Sequence, residues 1–233
     1  MVKTIISDVR FKVTSILLAI FLPGVTSQEV RAQDSNKMPP VQVSSLTPHD
    51  LRGCDQYPQP VKNLIEDLLS LTQKNLGYLY GSADPAKGGM DCSGTIYFVL
   101  KEAGISEPPR SASTQYVWAR KAGTFRAVVS TKQNTFELGE LKPGDLLFWT
   151  GTYESKNDPP VTHTMIYLGR TKHGNKPVMA GSSDGRTYQG EKKYGVSVFD
   201  FRIPSGKQTT SRFIGYAAIP NLPDVSAEPV ANP

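Results

Sequence analysis

The apolar residues of this chain change their spacing after about Lys121, and that change limits the possible folds more than any other feature. Before it, Val61, Leu64, Ile65, Leu68 and Leu71 recur at three- and four-residue intervals, and Gly77 follows as a stop. The spacing predicts a helix over residues 61–76. A second helix is predicted over 91–104, with Cys92, Ile96, Val99 and Ala103 on one face and Gly104 at its end. A third, short helix is predicted over 113–121. After it the pattern is that of strands. Leu146-Leu147-Phe148-Trp149 is a compact apolar run behind a Lys-Pro-Gly-Asp turn. Residues 161–168, 178–180, 196–201 and 213–219 are the other predicted strands, the second returning from the first through a hairpin. Helices first and an antiparallel sheet afterwards define an α+β class.

The chain has 233 residues, which suits one domain with extensions, and its 38% hydrophobic content suffices for a core. Residues 1–27 read as a cleaved export signal, with Lys3, Arg10 and Lys12 before an apolar stretch and small residues at 25–27. Loss of Lys3, Asp8, Arg10 and Lys12 lowers the formal net charge from +5 to +3. That weak, dispersed charge does not point to nucleic acid, and it suits an anionic polymer such as a cell wall. No internal stretch reaches the roughly 18 apolar residues of a membrane span. The polar residues 28–58 read as a linker or N-terminal arm, 59–222 as the folded domain and 223–233 as a Pro-rich tail. Two cysteines and three histidines, His49, His163 and His173, are too few for a metal cluster or a disulfide scaffold.

Cys92 falls at a helix start with Asp91 in the N-cap position. Helix N-terminal N–H groups favour negative charge, so a lowered thiol pKa is expected there. A thiolate is a nucleophile suited to acyl transfer. His163 falls near the start of a strand, on one face with Met165 and Tyr167, and imidazole is the usual acceptor for a thiol proton. Taken singly, a cysteine at a helix start is more often a small buried hydrophobe, and a histidine such as His163 more often a structural one. Cys54 lies outside this region; a Cys54–Cys92 disulfide suits an exported protein but would occupy the nucleophile. His49 and His173 are expected in solvent.

Four short segments in order resemble the NlpC-type cell-wall cysteine peptidases: Tyr78-Leu79-Tyr80-Gly81-Ser82, Asp91-Cys92-Ser93-Gly94, Leu141-Lys142-Pro143-Gly144-Asp145-Leu146-Leu147-Phe148 and His163-Thr164-Met165-Ile166-Tyr167-Leu168-Gly169. Pro109-Arg110-Ser111-Ala112-Ser113-Thr114-Gln115 is similar to that family's segment between nucleophile and sheet. The resemblance spans residues 64–219. It implies a papain-like α+β fold, with the nucleophile helix packed on an antiparallel sheet. It implies cleavage of peptidoglycan stem peptides, typically between D-glutamate and a diamino acid. Cys92 would be the nucleophile and His163 the base. Tyr78 would line the site, and Asp91 and Ser93 would hold the substrate's free amino terminus. No metal or organic cofactor is needed for thiol hydrolysis, and an exported or periplasmic monomer is expected.

Two departures stand out. Ser82 replaces the second glycine of the first motif. The third catalytic position, usually His, Asn or Gln, aligns with Met179, or with Ala180 if the register moves by one. Neither side chain orients an imidazole as a polar group does. Ser182, Ser183, Asp184 or a main-chain carbonyl could take that part. Two other readings follow: a wall-peptide binder without catalysis, and an amidase or acyltransferase using the same Cys–His pair.

Overall fold

A computed structural model describes residues 40–206 and 209–222. The expected signal, most of the expected linker and the tail lie outside these residues. Three helices precede most of the sheet: α1, Gln59–Thr72; α2, Cys92–Glu102; and α3, Ala112–Lys121. Two short strands, β1 (Gly77–Tyr78) and β2 (Gly89–Met90), pair in parallel between α1 and α2. The main sheet comprises β3 (Phe125–Ala127), β4 (Leu146–Thr150), β5 (Val161–Arg170), β6 (Pro177–Tyr188), β7 (Glu191–Asp200) and β8 (Arg212–Ala217). Its order is β3-β8-β4-β5-β6-β7, and all its pairings are antiparallel. The α+β class read from the sequence is the class observed.

Both faces of the sheet are buried. On one, Leu64 and Leu68 of α1 and Ile96 and Val99 of α2 pack on Ile166, Leu168 and Val198. On the other, Trp149, Met165, Tyr167, Met179, Phe199 and Phe213 form a second apolar cluster. This is why β4 and β5 are buried almost without alternation, the pattern of strands covered on both sides.

The sheet is larger than the sequence implies. β6 and β7 continue past the predicted strands and meet in a two-residue turn, Gln189 and Gly190, both with positive φ (52° and 88°). Such a turn matches strand twist, but Gln is an uncommon residue in it, so the hairpin signal is faint. The described part of the expected linker packs on the domain. Gln42 bridges Tyr194, and the backbone of Ser44 bonds to Ser197 Oγ and Val198 N, so the segment runs along the outer edge of β7. Covering an edge strand in this way removes a surface prone to aberrant pairing.

The segment from Tyr78 to Ser82 is pressed onto the first turn of α2. Asp91 N donates to Ser82 O over 3.0 Å. Gly81 takes the positive φ (80°) at this turn, so residue 82 needs no glycine, and the serine found there is buried and accepts from Asp84 N. A Cβ on Gly94 would sit inside van der Waals contact of the Ser82 carbonyl. Gly94→Ala therefore forces two backbone segments apart. It should cost about 1–3 kcal/mol and lower the thermal midpoint by roughly 2–10 °C, measured by calorimetry against wild type. An unchanged midpoint would show that the turn yields freely.

Candidate active site

Asp91 caps α2 and is saturated with donors. Its Oδ1 accepts from Gly94 N, from Ser93 Oγ at 3.2 Å and from Arg110 Nη1 at 3.1 Å; its Oδ2 accepts from Gly81 N and Arg110 Nη2, each at 2.8 Å. Ser93 Oγ also accepts from Arg110 Nη1 at 3.1 Å. Gln115 Nε2 donates to the carbonyls of Ser93 and Pro109. The segment from Pro109 to Gln115 thus holds the start of α2 from outside. The sequence marked that segment without giving Arg110 or Gln115 a part. The Asp91 carboxylate and the Ser93 hydroxyl, expected to face a substrate amine, are bound within the protein.

Cys92 is the first residue of α2, as expected, and is only 5% exposed. Its thiol lies against the main chain of β5 on either side of His163. Sγ is 3.9 Å from Thr162 O, to which it donates, and the Thr164 N–H favours the thiolate. The β5–β6 register runs from Arg170↔Pro177 only as far as Ile166↔Ala180. The start of α2 therefore meets β5 just beyond the end of that ladder, where the backbone can turn to the sulfur.

The expected lowering of the thiol pKa does not occur. Burial, and then the Asp91 carboxylate, push Cys92 up to about 11. The N–H groups of Thr164, Ser93 and Cys92 itself favour the thiolate, but they do not outweigh these two effects. A helix start lowers a thiol pKa when the sulfur is solvated; here desolvation dominates.

His163 lies on β5, on the face shared with Met165 and Tyr167, and is 6% exposed. Burial, and then the nearby Arg186, hold its imidazole well below the usual range. Its Nε2 accepts from Arg186 Nε at 3.2 Å. None of the side chains considered for the third position reaches the ring in this way. Met179 pairs with Tyr167 and Ala180 with Ile166. Tyr167 is four residues from His163, about 13 Å along a strand. Ser182 Oγ donates to Met90 O at 2.7 Å. A register shift in β6 between Asp184 and Thr187 breaks the alternation, which is why counting along the strand does not find Arg186.

A cleft of about 960 Å³ opens beside His163, lined by Tyr78, Tyr153, Asp184, Arg186 and Lys192 among others. Cys92 is not part of its open wall. Tyr78 lines this cleft, and burial raises its phenol pKa. The loop before β5 contributes Gly151, Thr152 and Tyr153 to the cleft wall. His49 and His173 are exposed. Cys54 and Cys92 are both free thiols, so no disulfide occupies the site.

A cysteine heading a helix against a histidine-bearing antiparallel sheet defines a papain-like thiol architecture. Residues 75–193 match the NlpC/P60 family, and the chain belongs to that family. It is 31% identical over 130 residues to the "Bifunctional muramidase/DL-endopeptidase CwlT" of Bacillus subtilis, covering 54% of this chain and 34% of the relative. It is 30% identical over 92 residues to the "Gamma-DL-glutamyl hydrolase" of the same species, covering 40% of this chain and 18% of the relative. The chain thus spans about a third and under a fifth of the length of these two curated relatives. A crystal structure from Staphylococcus aureus, described as similar to lipoprotein and of the NLP/P60 family, aligns with a TM-score of 0.46 at 26% identity, over 70% of this chain and 42% of that one.

Asp91→Asn tests the electrostatics of the Cys92 thiol. Asn retains the cap but removes the charge that raises the thiol pKa. In a Cys54→Ser background, iodoacetamide labelling of Cys92 should titrate near 11 in the parent chain. In the Asn variant the midpoint should fall by about one unit, with labelling at neutral pH roughly tenfold faster. Identical midpoints would show that the carboxylate is not felt at the sulfur.

Proposed function

We propose that this chain is an exported cysteine peptidase that hydrolyses peptide bonds in the stem peptides of peptidoglycan. The observation that carries this reading is the juxtaposition of Cys92 and β5: the thiol, at the head of α2, meets the main chain of Thr162, the residue immediately before His163. It does so inside the segment that matches the family. The two Bacillus subtilis relatives, one named a DL-endopeptidase and the other a γ-DL-glutamyl hydrolase, support the substrate class.

In this reading His163 takes the thiol proton as the sulfur attacks the scissile carbonyl. The thiolate forms a thioester, and the imidazolium returns its proton to the leaving amine. Water, with its proton taken by His163, then releases the carboxylate product. Because the resting thiol titrates near 11 and the imidazole well below its usual range, the resting pair is thiol and neutral imidazole. The ion pair forms only during attack. Tyr78 walls the cleft over the reacting groups. Asp91 and Ser93 hold the head of α2, and any contact they make with a substrate amino terminus is shared with Arg110. Residues 1–27 direct export, and the mature chain acts as a monomer without a cofactor.

The buried neutral thiol and the cation at the imidazole also support a second reading, a wall-peptide binder on the same fold. Digestion of purified peptidoglycan, with mass analysis of the released fragments, separates the two. The wild-type chain should release stem-peptide fragments and Cys92→Ala none. His163→Ala should lose about 10²–10⁴ in rate, while Cys54→Ser should retain activity. Absence of fragments from the wild-type chain, with binding to the polymer retained, would establish the binder. Products joined to an added amine rather than to water would establish an acyltransferase.

A further inference from the structure

Arg186 stands where an acceptor would be expected. A catalytic imidazole presents one nitrogen to the nucleophile, and its other nitrogen usually donates to an acceptor that fixes the tautomer. Here Arg186 Nε donates to His163 Nε2 over 3.2 Å. A guanidinium carries five donors and no acceptor. Nε2 must therefore be unprotonated, and the single proton of the neutral ring is on Nδ1.

The guanidinium is itself held. Its carbon lies 4.2 Å from the centre of the Trp149 ring, within range of a cation–π contact. Trp149 in turn meets the His163 ring at an angle of 65°, with centroids 5.6 Å apart. Two rings and a cation thus brace one another. The charged and titratable groups around His163 come from every neighbouring element: Cys92 from α2, Tyr78 from β1, Tyr153 from the loop before β5, Asp184 and Arg186 from β6, Lys192 and Tyr194 from β7. Asp91 is paired with Arg110 at 2.8 Å. Arg186 and Lys192 line the same open cleft as His163.

We propose that Arg186 is a positioning residue that keeps His163 as the neutral Nδ1–H tautomer, and that a carboxylate of the substrate, entering the cleft, draws the guanidinium off Nε2. Only then does the ring hold a proton at Nε2, leaving Nδ1 free to accept one or allowing both nitrogens to be protonated. The switch moves hydrogen bonds and one solvent-exchanged proton; no covalent bond to carbon or sulfur forms or breaks. A γ-glutamyl linkage leaves its α-carboxylate free, so substrates joined in that way carry the required anion. Arg186 supplies the two parallel donors that a carboxylate prefers. The proposal rests on His163 as the base of the function proposed above.

Nitrogen NMR of the full chain labelled with ¹⁵N-histidine tests it without turnover, with His163 assigned from a His163→Ala spectrum. Wild type should show Nδ1 protonated and Nε2 bare, with no imidazolium until well below the ordinary midpoint of about 6.5. Arg186→Gln offers an acceptor to Nε2–H. It should reverse the tautomer and raise the midpoint by about one unit or more. Arg186→Lys, still a donor, should keep the wild-type tautomer. If Arg186→Gln loses its fold, as the His49 and His173 signals would reveal, the tautomer of wild type and of Arg186→Lys decides. An Nε2–H tautomer in wild type, or a Gln variant that titrates like wild type, overturns the proposal.

For the anion, a γ-glutamyl dipeptide with a free α-carboxylate, added to Cys92→Ala, should switch the His163 signals, and its α-amide should not. Equal responses to both, or none to either, reject that part. A chain that shows the switch but releases nothing from peptidoglycan would reject the hydrolase and leave the role of Arg186 standing.

Discussion

The site depends on one carboxylate. Asp91 receives the first turn of α2 through Gly94 N, the preceding turn through Gly81 N and the segment before α3 through Arg110. These three pieces lie 3, 10 and 19 residues from Asp91, and a single side chain fixes their meeting point. A buried carboxylate is costly unless donors surround it, and here the donors are the backbone groups that must be arranged to aim Cys92 at β5. The same charge raises the thiol pKa. The residue that sets the position of Cys92 therefore adds, after burial, to what keeps the thiol protonated. Arg110, tied to Asp91 by both terminal nitrogens, moderates that effect.

The sheet adds the second constraint. Because β5 is buried on both faces, His163 is almost wholly buried, its ring against Trp149 and Arg186 and beside the cleft. Desolvation disfavours the imidazolium just as it disfavours the thiolate. Cys92 and His163 thus both rest neutral. Arg186 is the charge closest to hand, stacked on Trp149 and bonded to the ring.

Much of this was legible in the sequence. The helical spacing from Val61 to Leu71 and around Cys92 placed α1 and α2, since each buries one face against the sheet. The apolar runs at Leu146 and Val161 placed β4 and β5. Cys92, His163 and Tyr78 stand out in the sequence by their position in short motifs, and the structure sets Cys92 against the strand that carries His163, with Tyr78 in the wall of the adjoining cleft. Less legible was whatever depends on long-range contact. The hairpin of β6 and β7 turns on Gln189 and Gly190, a weak local signal. The packing of residues 40–58 shows only when β7 is seen as an edge. The thiol pKa depends on burial, which no motif states. Arg186 follows a register shift that no count of alternation anticipates.

The central claim is that Cys92 is the atom that attacks. Acid quenching of the chain with a γ-glutamyl-linked stem peptide, followed by peptide mapping, tests it most directly. The account predicts a thioester-linked acyl fragment on Cys92. Acylation at Cys54 or another residue in its place, or turnover undiminished by Cys92→Ala, would contradict it.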